Sequence, residues 1–394
     1  MAEAAEPTAP PAEASPWLVS APFDLLWFFG GGVLSLLAIA LALYAGVPMA
    51  LLFWVWLLGF DGPHMMAAYT RTYADRHAWQ TRRRLLLITL LAFLLGPGCL
   101  VVDRLLGTDS FTAFLGVATL YGLYHVIRQH YGFIALYSAK VGQRDALSYR
   151  IDRYALYVGA WLPYLAFVFT HPKARALLGL EPLAQPLNAL VWATALGFGV
   201  ALLAFVLNFF RTATRSLPKL GYSLFSVGLY GLAYYWVARF EPVYGASKGP
   251  DQDFLLLSVV LTVFHNVQYI ALVYVHNRSR YVATGKMSVS GRLAPWISST
   301  ALRYVAVCLG FSLVYWLLAA SSAIYPSWGA LRGELLVGAT LGGISLNRLA
   351  LALWWGLALH HYWLDQRIWR IKEDPELRVH LGLEAARPYQ GATD

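Results

Sequence analysis

WWGLALHHYWLDQRIWR, Trp354 to Arg370, reads as the end of a long apolar helix running into a basic segment. His360 and His361 sit where that helix should leave the membrane, and Asp365 follows four residues after His361. Residues four apart share a helical face, so His361 and Asp365 have the spacing of two metal ligands or of a proton relay. The plainer reading is a polar helix end in the headgroup layer, with Tyr362 and Trp363 as interfacial aromatics. The rest of the chain weighs on that choice.

Of its 394 residues, 58% are hydrophobic and 13% charged. Several apolar runs approach the roughly 20 residues that cross a bilayer. The expected fold class is all-α: a polytopic integral membrane bundle of about ten transmembrane helices, with both termini cytoplasmic. The spans fall at roughly 24–45, 48–70, 85–106, 111–138, 151–170, 187–210, 219–239, 253–275, 296–320 and 344–365. Glu334 to Gly343 reads as a short re-entrant segment or an extension of the tenth span. Residues 1–16 are rich in Ala, Pro and Glu and read as a disordered tail. No basic region precedes the first apolar run, which therefore reads as a retained helix. Residues 17–366 form the transmembrane domain, and 367–394 a cytoplasmic tail. The two cysteines, Cys99 and Cys308, exclude a disulfide framework and a Cys-based zinc motif.

The net charge of +9 does not call for nucleic acid as a partner. Its basic residues gather in short connections after the even-numbered spans, among them Arg71, Arg82, Arg144, Arg215, Arg278 and Arg367. By the positive-inside rule those connections are cytoplasmic, and the expected location is a bacterial inner membrane. Such a basic face suits anionic membrane lipids or a separate acidic electron donor equally. There is no glycine-rich phosphate loop.

The orientation gives the histidines a pattern. His64 lies in the second span, His125 and His130 in the fourth, His265 in the eighth, and His360 and His361 in the tenth. Each precedes a cytoplasmic exit by about 6 to 15 residues, which at 1.5 Å per residue puts all six at overlapping depths. Ionisable groups at such depth usually face a bundle interior, so a shared polar site is expected. His77, His171, His276 and His380 lie in or beside loops and read as solvated.

Asp61 and His64 are three apart, with Gly62 and Pro63 between them. A kink or break is expected there, lining a buried site or simply serving packing. His125 and His130 are five apart, about 140° round a regular helix, so either a π-bulge unites them or only one is a ligand. Arg128, between them, needs an acid partner or an anionic headgroup. The candidate metal ligands are thus His64, His125, His130, His265, His360, His361 and Asp365. Asp61, Tyr131 and Tyr269 are candidate catalytic groups. Histidine with one or two aspartates suits iron or zinc. So many ligands favour two metals, iron first and zinc as the alternative, or one metal with a rich outer shell.

Histidines from separate helices at one membrane face resemble the membrane-bound di-iron oxygenases, the desaturases, hydroxylases and alkane monooxygenases. The resemblance is architectural. Only His125 and His130 match an HxxxxH spacing, and His360–His361 supplies an HH pair without the preceding histidine of an HxxHH box. Single histidines on separate helices are also similar to the bacterial carotene dioxygenases. The resemblance implies oxidation of a hydrophobic, lipid-like substrate, by hydroxylation, desaturation or cleavage. A zinc-dependent intramembrane hydrolase using Asp61 or Asp365 as base, and a haem-binding or ion-transport protein, are the alternatives.

Overall fold

The computed structural model describes residues 15–172, 175, 179–239, 251–283, 291–320, 336, 338–371 and 374–383. The expected N-terminal tail lies almost wholly outside them. The chain is helical at each of the ten expected spans. The first is Ala21–Leu43 (α1). The second, 49–71 (α2), joins Met49–Trp56 to Gly62–Arg71 through a π turn at Leu57–Asp61. Arg76–Thr89 (α3) and Ala92–Leu106 (α4) make the third. Then come Ser110–Lys140 (α5), Ala146–Thr170 (α6), Ala184–Arg211 (α7) and Leu217–Gly231 (α8). Asp251–Asn277 (α9), Leu293–Ser298 (α10), Ala301–Ala320 (α11), Leu346–Ile368 (α12) and Pro375–His380 (α13) follow. The described part of the expected re-entrant segment is a tight hairpin pairing Thr340–Leu341 with Ile344–Ser345, and the helix starts only after it.

Six described helices are long and apolar enough to cross a membrane: Ala21–Leu43, Arg76–Leu106, Ser110–Lys140, Gln185–Arg211, Leu256–Ala283 and Ala301–Ala319. The other expected spans are helical but less apolar or less continuous. The second carries Asp61, His64 and Arg71 and changes winding at its π turn. In α6, Arg150, Asp152 and Arg153 fall within the first turns. A π turn at Leu232–Trp236 follows α8. Arg348, His360, His361 and Asp365 dilute α12.

Helix α9 is the axis of the bundle. Its apolar window is 83% buried, against 17–33% for the other five, so it is the most enclosed of these helices. On one side it meets α1 and α2; α6 and α7 form a tight pair further out, and α12 packs on α4. Small residues set these approaches. A Cβ on Gly96 would lie 3.1 Å from the backbone of Ala352, so glycine lets α4 close on α12. A Cβ on Gly62 would come within 3.0 Å of Ser312 Cα, which fixes α2 against α11 just ahead of His64.

The C-terminal segment packs on the bundle. Residues 374–383 fold back rather than trail away: Leu377 is fully buried, Lys140 Nζ donates to Gly382 O at 2.9 Å, and Asp374 pairs with Arg82 at 2.7 Å. His276 and His380 are buried against each other with ring centres 5.5 Å apart, and His171 is buried too, so these three are not solvated. For His276 and His380 the loop positions misled because their contact joins segments far apart in the chain, whereas His171 packs on Phe167 of its own helix with ring centres 4.8 Å apart.

Candidate metal centre

Four helices each bring one histidine to a common point: α2 His64, α5 His125, α9 His265 and α12 His361. Their rings form a closed circuit. Centroids lie 4.5 Å apart for His64 and His265, 5.0 Å for His265's neighbour His125, 5.3 Å for His125 and His361, and 4.4 Å for His361 and His64. All four are essentially buried. Ligand atoms of His64, His125 and His265 fall within 4.8 Å of one another, as do those of His125, His361 and Asp365.

The nitrogens in this circuit are unsatisfied. Both ring nitrogens of His64 and of His361, Nε2 of His125 and Nδ1 of His265 are buried with no hydrogen-bond partner. An unpaired buried polar group costs about 1–3 kcal/mol, so several at one point call for something to bind there. Neutral imidazole nitrogen is a good ligand for iron, zinc or copper, and the donor set fits a metal ion of that kind. Ligands at about 2.1 Å from such an ion lie at most about 4.2 Å apart, so small side-chain shifts would close the site.

Asp365 stands beside this circuit on the face its spacing dictated. Its Oδ2 is 3.4 Å from His361 Nε2, and its other oxygen accepts a short hydrogen bond from Tyr269. Trp369 Nε1 donates to the Tyr269 hydroxyl at 3.3 Å, and the Arg71 guanidinium covers the Trp369 ring at 4.0 Å. Tyr269 also packs its ring 4.6 Å from His64. A carboxylate so held can orient His361 or ligate directly.

The remaining sequence candidates are placed elsewhere. Helix α5 runs from Ser110 to Lys140 without a π turn, so His130 faces away from His125. It bonds Tyr222 at 2.8 Å; Tyr222 donates to Gln268 at 3.0 Å, and Gln268 to Phe28 O at 2.7 Å. That chain makes His130 Nδ1 a donor. His360 has both nitrogens occupied, by Tyr69 at 3.1 Å and Tyr73 at 2.8 Å. Asp61 is one turn before His64, but its oxygens accept from Tyr315 at 2.5 Å and Asn266 at 3.3 Å. Tyr131 is half-buried and lines the cavity described next, without contact to the histidine circuit among the described bonds.

No protein-family model, curated protein or solved structure matches this chain.

A cavity of about 460 Å³ opens onto the centre. His125, Tyr269 and Asp365 line it together with Tyr131, Leu136 and Leu272. Its size is that of a small-molecule site, for which roughly 300–1,000 Å³ is usual. Two residues at the centre, Tyr362 and Tyr315, escaped the reading of the sequence as site residues. Tyr362 stacks on His125 with centroids 4.3 Å apart and planes 25° apart, although its position suggested only an interfacial ring. Tyr315 and Asn266 hold Asp61. Nothing in its local sequence marks Tyr315, since apolar helices carry many tyrosines facing packing partners, whereas Asn266 stands beside His265 as a polar group in an apolar run.

Proposed function

We propose that this protein is a membrane metalloenzyme that oxidises a lipid or isoprenoid chain, with iron held by His64, His125, His265 and His361. The observation that carries this is the closed circuit of four buried imidazoles with unpaired nitrogens. The site lies inside a helical bundle with six membrane-length apolar helices, where an apolar substrate is at hand.

The geometry favours one metal over two. His130 and His360 are engaged by tyrosines, which removes the surplus of ligands that had suggested a pair of irons. Asp365 is the one carboxylate in the ligand groups, and Asp61 is held by Tyr315 and Asn266 instead. Iron also suits the donor count better than zinc. Four imidazoles complete a tetrahedral zinc and leave no place for water, whereas an octahedral iron keeps open positions. When bound, the metal would supply dioxygen activation. The protein's own part is to hold the imidazoles, exclude water and set the substrate in the cavity.

Within this reading Asp365 orients His361 and Tyr269 fixes Asp365. All ten helical spans cross the membrane, and the basic connections Arg82 and Arg144 face the cytoplasm. Hydroxylation or desaturation would draw electrons from a separate donor at that face; cleavage that incorporates both atoms of dioxygen would not.

The test is metal analysis of purified protein combined with oxygen uptake by iron-loaded protein in vesicles of total lipid. Stoichiometric iron, with uptake lost in His361→Ala, is the expected result. Stoichiometric zinc without oxygen uptake would overturn this reading.

A further inference from the structure

Arg128 is a guanidinium within a membrane-length helix, and no carboxylate ion-pairs with it among the described residues. Its bond is to a neutral group, the Tyr124 hydroxyl, at 3.0 Å. Tyr124 packs 6.1 Å from Tyr157, and Arg153 lies over the Tyr157 ring at 5.9 Å. The acid next to Arg153 in sequence, Asp152, is committed to Lys219 at 3.0 Å. Arg128 and Arg153 thus flank one pair of tyrosines, and both line the cavity that reaches His125 and Asp365. The other walls include Phe133, Leu136 and Leu272.

A charge at membrane depth is expensive and persists where something neutralises it. That argument applies to Arg128; the exposed Arg153 faces the same cavity, as do Arg370, whose Nε donates to Gln366 O at 3.1 Å, and Asp365, and much of the remaining wall is apolar. We infer that Arg128 and Arg153 form an anion subsite that takes the head of a long-chain carboxylate, with its chain against the apolar wall. A carboxylate suits the pair better than a phosphate monoester. Asp365 lines the same cavity, and a singly charged head meets less repulsion from it than one of roughly −1.5 to −2 charge. Guanidinium binds a carboxylate through parallel N–H donors, which fixes orientation as well as position. The head would then register the chain relative to His125. The inference names the substrate class of the proposed metalloenzyme and rests on that reading only for what happens at the metal.

Binding of palmitate, hexadecanol, hexadecyl phosphate and inorganic phosphate to the full chain in neutral detergent tests it, on metal-loaded and chelator-treated protein. Palmitate should bind at least about tenfold more tightly than hexadecanol. Arg128→Gln and Arg153→Gln should each remove most of that difference while leaving hexadecanol binding and metal content unchanged. Arg153 is exposed, so its variant keeps the test valid should the Arg128 variant misfold. Equal affinity for palmitate and hexadecanol, or no loss in a folded variant, would overturn the subsite. Hexadecyl phosphate bound more tightly than palmitate, or palmitate displaced by inorganic phosphate at matching concentration, would overturn the carboxylate assignment. Arginine-dependent palmitate binding by protein that never holds metal would sink the metalloenzyme reading and leave the subsite standing. Stoichiometric iron with no preference for palmitate would do the reverse.

Discussion

Asp365 Oδ2 lies 3.4 Å from His361 Nε2, one helical turn away on α12, and its other oxygen accepts from Tyr269. The pair is held from two sides: by helical spacing along α12 and by a hydroxyl from α9. With one oxygen occupied, Asp365 has the other to fix the tautomer of His361. Loss of such an orienting carboxylate typically costs about 10–100-fold in metal affinity or activity. Asp365→Asn keeps the shape and removes the charge. It should weaken metal binding within that range, read by competition with a graded chelator. Affinity equal to wild type would make Asp365 a bystander.

His125 and His130 should separate cleanly. His125 faces the circuit and His130 bonds Tyr222. His125→Ala should lose the metal. His130→Ala should keep it and lower stability by about 1–3 kcal/mol, the cost of leaving Tyr222 without its donor. Metal content and thermal unfolding of the two variants give the comparison. Metal loss in the His130 variant at unchanged stability would contradict the assignment.

The difference between those two histidines shows what the sequence could and could not convey. Helical spacing put His361 and Asp365 on one face, and the shared depth of His64, His125, His265 and His361 followed from counting residues to basic connections. Both are local properties of single helices. What occupies a side chain depends on its neighbours across the bundle. His360 reads as well as His361 along the chain, yet Tyr69 and Tyr73 take both its nitrogens. His276 and His380 looked solvated because the returning C-terminal segment is not visible in their surroundings. Of the two alternatives for His125 and His130, α5 carries no π turn, which leaves only one of them facing the circuit; a π turn does lie at Leu57–Asp61, just ahead of the Gly62–Pro63 pair where a kink or break was expected.

Lys219 and Asp152 form a buried ion pair at 3.0 Å, supported by Gln143 on Lys219 and Asn208 on Asp152. Breaking one side leaves a charge stranded, at a cost of about 3–5 kcal/mol. Lys219→Met should therefore lower the unfolding temperature strongly, and the double variant Lys219→Met with Asp152→Leu should recover much of the loss. Metal content should not change in the double variant. A single variant as stable as wild type would show that the pair is hydrated in the membrane.

Orientation is open to labelling. Single cysteines at Arg82 and Arg144, in a background lacking Cys99 and Cys308, should react with an impermeant maleimide only after the cytoplasmic face is exposed. Reaction in intact cells would reverse the topology and put the histidine circuit in the outer half of the bilayer.

The central claim is that His64, His125, His265 and His361 hold one metal ion. Its most direct test is elemental analysis of the purified wild-type chain and of six single His→Ala variants. The account predicts about one iron per chain in wild type, loss in the variants at 64, 125, 265 and 361, and retention at 130 and 360. Stoichiometric metal that survives removal of His64 or His361, or a wild-type protein that binds none, would contradict it.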